Sequence, residues 1–410
     1  MGERLFVRRD GVVLATLTPA GAKLWVEYSD QVIDCTAAGT PLLSCSLPVR
    51  TTRLDGAAWA RGLLPEGEHR RALAEAADVA VSDTFGLLAR FGRDIAGAFE
   101  IIADADEPPR TPGLVRYGPD ELAEEVASLD TKPLAIHDDS ELSLAGLQDK
   151  MVVVRVEGGW ARPVHGYPST HILKVDPYQY PGLVDAEAAC LRVARAVGLT
   201  SITVDRCRLG DREALIVSRF DRVEQDGGPP RRIHQEDLLQ ALGLHPDGAN
   251  GRAKYQKLGS PGPPSWRHAA ELLDDYAEDA VAELRQLLRA VTFTTVIGNA
   301  DCHAKNVAFL LEDGRISLAP LYDTVPTALW PKLRSTAAMA VADVSAMADI
   351  GVADLVAEGR RWRVQPASAH ATVTDLLEEL VANAAVADHD EVAELVATNA
   401  RRLLDGAADA

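Results

Sequence analysis

Gly298-Asn299-Ala300-Asp301-Cys302-His303-Ala304-Lys305-Asn306 is the stretch on which the reading of this chain turns. Apolar residues 287–297 lead into it, and the strand-like run 307–311 leads out. Between them a carboxylate, an imidazole, an ammonium and an amide stand within residues 301–306. Apolar flanks are buried on folding, and buried flanks fix a short polar loop in the way that a reacting constellation requires. A loop of helix-capping residues would look the same in isolation, so the neighbouring sequence has to decide.

Working outward, Asp301 and Asn306 have the spacing at which a kinase catalytic loop places its base and an amide that helps to hold magnesium. Residues 307–311 and 315–320 read as two strands joined at Asp313-Gly314, a tight-turn dipeptide. Leu321-Tyr322-Asp323 follows, which is expected to return Asp323 beside Asn306 and complete a magnesium site of oxygen ligands. Cys302 has no base placed to serve it ahead of Asp301, and reads as a small buried filler.

Upstream, residues 141–150 (Glu-Leu-Ser-Leu-Ala-Gly-Leu-Gln-Asp-Lys) run into a strand at 151–156. A loop with a small residue, a glycine and a lysine can lie over phosphates, and an ordinary strand-entry turn fits it equally. Residues 170–175 form a strand that carries Lys174, where kinase-like folds keep a lysine for the α- and β-phosphates; an edge lysine in solvent is the alternative. The helix expected over 185–197 stops at Gly198 and carries Glu187, which either pairs with Lys174 or is solvated. Residues 202–209 and 213–220 form a hairpin about Gly210-Asp211 and lead to Asp221-Arg222, where two kinase lobes would join.

The rest of the chain sets bounds. Its 410 residues exceed one ordinary core. A net charge of −19 disfavours direct binding to nucleic acid, so DNA would be reached only through a basic partner. No run is long and apolar enough to span a bilayer and no export signal is visible, which predicts a cytoplasmic protein. Five scattered cysteines read as reduced thiols. We expect an α+β, two-lobed, protein-kinase-like fold. Its parts are an added N-terminal subdomain (residues 1–105), a linker and short helix (106–130), an N-lobe core with phosphate loop and hinge (131–222), and a largely helical C-lobe (223–410). The stretch 103–118 reads as linker, 234–237 as the opening of a helix, 250–264 as a long functional or flexible loop, and everything after Asp323 as helical. The phrases 61–67 and 85–92 read as packing and turn devices. A Ser-His-Asp hydrolase lacks its Gly-x-Ser-x-Gly elbow, and a zinc enzyme lacks a ligand cluster.

Taken as an ordered set, these motifs resemble the HipA family, the kinase toxins of bacterial toxin–antitoxin modules. The resemblance rests on residues 62–66, 85–92, 143–150, 171–174, 219–222, 234–237 and, most specifically, 298–306 with 321–323. It implies a serine/threonine protein kinase that uses ATP and Mg2+. Asp301 would be the catalytic base, Asn306 and Asp323 the metal ligands, and Lys174 the phosphate anchor; His303 and Lys305 would shape the loop or meet the γ-phosphate. Ser143, Ala145, Gly146, Gln148 and Lys150 would form the phosphate loop, with Ser143 as the autophosphorylation site. Val217, Ser218, Phe220 and Asp221 would form the adenine hinge; Ser218 stands where the family often has an acid. The implied partners are a HipB-like helix-turn-helix antitoxin and a protein substrate such as an aminoacyl-tRNA synthetase. Two competing readings are an antitoxin-bound co-repressor with a dispensable site and a small-molecule phosphotransferase of the aminoglycoside-kinase type.

Overall fold

Alternating residues at the N-terminus build the first layer. Leu5–Arg9, Val12–Ala20 and Lys23–Tyr28 form an antiparallel meander, extended by Leu54–Asp55 at one edge and Glu100–Ile102 at the other. Leu5, Val7, Leu17 and Val26 are buried in one cluster with Trp59, Leu73 and Phe91 from helices Ala57–Gly62, Gly67–Ala77 and Thr84–Phe91. Asp83 caps the last of these, accepting from Gly86 N at 2.8 Å. The structure, a computed structural model, describes residues 4–106, 111–118, 120–129, 133–135, 137, 149–257, 259 and 262–408.

The second layer is a six-stranded antiparallel sheet in the order Val204–Leu209, Arg212–Ser218, His171–Val175, Lys150–Val156, Gly159–Val164, Gly113–Arg116. The last of these strands corrects the sequence reading, because it lies inside the stretch taken as linker. Four residues are too few to display alternation, and the strand that pairs with them starts at Gly159. Helix Leu183–Ala196 crosses the sheet. Its Val184, Ala188 and Leu191 join Leu215 and Val217 of the sheet, while its Ala189, Cys190 and Val193 belong to the core of the helical lobe. The helix is therefore buried on both sides, and so is the carboxylate of Glu187.

The helical lobe packs Trp266–Tyr276, Ala280–Val296, Val352–Arg361, Pro366–Asn383 and Asp390–Ala408 around Leu287, Phe293, Leu355, Leu376 and Val396. A small sheet, His234–Asp237, Ala308–Glu312 and Arg315–Leu318, lies at its cleft side. The latter two strands turn at Asp313 and Gly314, both at positive φ, as the dipeptide predicts. Residues 234–237 form a strand rather than the first turn of a helix; Asp237 caps the short helix that follows, accepting from Gln240 N at 2.8 Å. The region after Asp323 also departs from expectation. A hairpin, Thr336–Val341 with Val344–Ala346, precedes the helices. Its Ala-Ala-Met-Ala run is composed of good helix formers, and burial in the lobe overrides that preference.

Buried polar contacts fasten the N-terminal unit to both lobes. Arg61 grips Asp247 with two bonds of 2.7 and 2.8 Å, Glu236 accepts from Cys45 N at 2.8 Å, and Asp221 accepts from Gly97 N at 2.8 Å. Among the described residues no helix is long and apolar enough to cross a membrane.

Burial pushes the Glu236 carboxyl up to about 7, against the hydrogen bonds from Ser44 and Cys45. A raised acid holds its proton in the folded chain after the unfolded chain has lost it, so stability falls as pH rises from about 4.5 to about 7 and is flat above. We predict that this one group costs about 3 kcal/mol over that interval. Thermal unfolding of Glu236→Gln should therefore gain on wild type between pH 5 and pH 7.5, and parallel curves would show that Glu236 does not titrate there.

Candidate active site

The loop at 298–306 is clamped from both ends. Helix Ala280–Val296 delivers its start, and Gly298 turns at φ +64°, where a Cβ would stand 2.6 Å from the Cβ of Ala328. Thr327 Oγ1 accepts from Ala300 N and donates to Gly298 O, each at 2.9 Å. Asn299 accepts from Asp301 N at 3.1 Å and donates to Asp323 O at 3.3 Å. One amide side chain thus joins the Asp301 loop to the Asp323 segment.

Asp301, Asn306, Asp323 and Lys174 come together in the cleft. Asn306 Nδ2 donates to Asp301 O at 3.3 Å, which turns its Oδ1 the other way. Lys174 Nζ donates to Glu187 Oε1 at 2.7 Å and to Asp323 Oδ1 at 2.9 Å. The second of these spans the lobes. Burial alone would lower the ammonium's pKa, and the two carboxylates more than reverse that, holding Lys174 charged. Burial likewise pushes Asp323 up, and Lys174 with Lys150 brings it below the usual carboxylate range. Asp323 sits at φ 55°, left-handed backbone that an aspartate tolerates at some cost and that recurs at functional sites. Lys150 lies opposite Lys174 on the neighbouring strand. Burial, then the charge of Lys174, lowers its pKa to about 8.

Tyr255 Oη donates to Asp301 Oδ1 at 3.0 Å. Burial raises the Asp301 carboxyl, and this bond pulls it back. The Tyr255 ring stands edge-on to His303 at 5.3 Å and under the Arg334 guanidinium at 4.6 Å. The His303 imidazole is held neutral, first by burial and then by Lys254. Lys305 turns to Asp237, Nζ to Oδ2 3.2 Å, with Glu66 at 3.8 Å; Lys254 donates to the other oxygen of Glu66 at 3.3 Å. Cys302 is buried, its thiol pushed up to about 12, as a filler would be.

The hinge residues divide. Val217 and Phe220 line an apolar cluster with Val184, Leu191 and Tyr322, the Phe220 and Tyr322 rings 5.5 Å apart. Ser218 faces the hairpin, its Oγ accepting from Thr203 N at 2.8 Å. The Asp221 side chain departs from the hinge expectation. It is taken up by Arg219 at 2.8 and 2.9 Å and by Gly97 N, and serves the junction with the N-terminal unit. Ser143, Ala145, Gly146 and Gln148 lie outside the described residues. The sequence reading missed Glu66, Asp237, Tyr255 and Lys254 as neighbours of the loop. Only the polar, aromatic composition of 250–264 signalled the last two.

Among the described residues no group of three or more His, Cys, Asp or Glu side chains forms a metal cluster. One carboxylate and one amide, Asp323 and Asn306, are the sparse share that a protein gives to magnesium when phosphates and water complete the shell, so the donor set fits that ion.

A sheet-rich lobe that carries a buried lysine–glutamate pair, facing a helical lobe that carries Asp301, Asn306 and Asp323, defines a protein-kinase-like fold. Within that class the chain belongs to the HipA family. Residues 5–102 match the family model of the HipA N-terminal domain, and residues 142–387 match that of the HipA-like C-terminal domain. A Sinorhizobium fredii protein described as "Putative kinase Y4mE" is 36% identical over 77% of this chain and 74% of its own. The serine/threonine-protein kinase toxin HipA of Shewanella oneidensis is 28% identical over 68% of this chain and 65% of its own. A solved structure of Shewanella oneidensis HipA, in complex with HipB and operator DNA, superposes with a TM-score of 0.80 at 23% identity, covering 98% of this chain and 97% of that one.

Glu187 and Lys174 are both buried, so removing one strands the other. We predict that Lys174→Met destabilises the fold by about 3–5 kcal/mol, and that adding Glu187→Leu recovers most of the loss, as expected of a buried pair. Urea unfolding of the two variants checks this; equal stability for both would mean that the pair carries no such penalty.

Proposed function

We propose that this protein is an ATP-dependent serine/threonine protein kinase that acts as the toxin of a type II toxin–antitoxin module. The observation that carries the proposal is the bond from Lys174 to Asp323 across the cleft, with Glu187 behind it and Asp301 and Asn306 beside it. Phosphoryl transfer asks a protein chiefly for position and charge, and these groups supply both.

In this reading Lys174 holds the α- and β-phosphates of ATP, and Val217 to Phe220 receive the adenine. Asn306 and Asp323 hold magnesium, which when bound neutralises charge on the phosphate oxygens. Asp301 orients a serine or threonine hydroxyl and takes its proton. The hydroxyl oxygen bonds to the γ-phosphorus as the bond to the bridging oxygen breaks, and ADP leaves with the electron pair. Tyr255 keeps the base oriented through its hydrogen bond. The same chemistry applied to Ser143 would place about two negative charges in the phosphate loop and repel ATP. The substrate is a protein, of which an aminoacyl-tRNA synthetase is the family precedent. A HipB-like helix-turn-helix antitoxin is the proposed partner. The Shewanella complex supports it, and the net charge of −19 suits a protein that meets DNA only through such a partner.

Incubation with γ-labelled ATP and magnesium, alone and with cytosolic extract, tests the proposal. Label is expected on the protein at Ser143 and on a protein target, and Asp301→Ala should lower the rate about 10²–10⁴-fold. Label confined to a small metabolite would move the assignment to a small-molecule kinase, and no label to a co-repressor. Ser143→Ala should abolish self-labelling and retain ATP binding. Loss of ATP binding would assign that serine a structural role instead.

A further inference from the structure

Glu66 belongs to the N-terminal unit, in the Leu-Leu-Pro-Glu-Gly turn that the sequence suggests is a packing device. It stands at the N-cap of helix Gly67–Ala77, yet its side chain makes no capping bond. It runs instead into the cleft, where the side chain is 13% exposed and its carboxylate meets the ammonium groups of two more deeply buried side chains, Lys254 at 3.3 Å and Lys305 at 3.8 Å. Lys305 is on the catalytic loop itself. Lys254 is tied to that loop through its carbonyl, which accepts from Ala304 N at 3.0 Å, and the next residue, Tyr255, holds Asp301. Together with Asp237 the cluster has two cations and two anions.

A mere tether between units would look different. That task is already performed by Arg61 on Asp247, whose two carboxylate oxygens are both bonded, at 2.7 and 2.8 Å. Glu66 Oε1, by contrast, is buried with no hydrogen-bond partner among the described residues, facing Lys305 just beyond bonding distance. A buried carboxylate oxygen left in that state costs stability and calls for another reason to persist.

We propose that Glu66 is a positioning residue for phosphoryl transfer: from outside the two kinase lobes it shares Lys305 with Asp237 and keeps Lys254 off Asp301, so that the Lys305 ammonium stays available to an incoming phosphate. The inference rests on the kinase reading of the same cleft. The Lys254 charge already acts on the Asp301 carboxyl and helps to lower it, and without Glu66 a pairing there would occupy the base.

Two readouts test the proposal and keep it separable from the kinase reading. The first needs no catalysis. Native labelling of lysines with an amine-reactive reagent, followed by mass spectrometry, should show Lys254 and Lys305 protected in wild type and modified at least about tenfold faster in Glu66→Gln, since a long side chain released from its buried partner swings out to the reagent more easily. Unchanged labelling overturns the proposal even if the protein is a kinase. The second is kinetic. Glu66→Gln should lower kcat about tenfold with the KM for ATP within twofold, Glu66→Asp should retain most of the activity, and the Gln effect should shrink below threefold in a Lys305→Ala background. A kcat within twofold of wild type, or an equal loss with and without Lys305, overturns it. A wild-type chain that transfers no phosphate contradicts the kinase reading and the catalytic role of Glu66 with it, while the labelling still decides whether Glu66 holds the two lysines.

Discussion

The ammonium of Lys174, lodged between Glu187 and Asp323, is the interaction to which the rest of the structure answers. Each partner comes from a different part of the chain: a strand of the six-stranded sheet, the helix that crosses it, and the segment beyond the catalytic hairpin. Lys174 and Glu187 are too deeply buried for either to stand charged alone, and with the partly exposed Asp323 the three compensate. The constraint propagates outward. Glu187 has to reach the strand, so its helix is pressed between sheet and helical lobe; Asp323 has to reach up, so its backbone accepts a left-handed turn braced by Asn299. The cleft thus exists around a charge pairing that a nucleotide phosphate can join and partly replace.

The N-terminal unit is drawn into the same cleft. Val152 of the six-stranded sheet joins its apolar core, and buried polar contacts add to that seam a sharper constraint on geometry, because an unmatched charge is penalised at once. Asp94, Arg219, Asp221 and Arg222 form one such network, and Glu66 with Lys254 and Lys305 another. Glu66 thereby brings the N-terminal unit into contact with Lys305 of the 298–306 loop.

Much of this was legible in the chain. The apolar flanks of 298–306 and the Asp313-Gly314 turn rest on local rules of periodicity and turn chemistry, and the structure follows them. For Lys174 and Glu187, thirteen positions apart on a strand and the following helix, the sequence left pairing and solvation open, and the structure pairs them. The edge strand Gly113–Arg116, the strand His234–Asp237 and the hairpin at Thr336–Val341 were illegible for a common reason. Each is short or helix-favouring in composition, and each is defined by a partner or a burial pattern that no local window contains. Glu66 and Tyr255 escaped similarly. A carboxylate after Leu-Leu-Pro carries no mark of the two lysines it will meet nearly two hundred and more residues later, and a tyrosine in a loop carries no mark of the Asp301 carboxylate it will touch.

The central claim is that one cleft gathers a nucleotide's phosphates, a cation and the carboxylate of Asp301. A co-crystal structure with a non-hydrolysable ATP analogue and Mn2+ tests it most directly, because manganese is located by its own anomalous signal. The account predicts the manganese peak between Asn306 and Asp323, with the phosphates within reach of Lys174 and the terminal phosphate facing Asp301. A nucleotide bound elsewhere, or a metal peak away from Asn306 and Asp323, would contradict it.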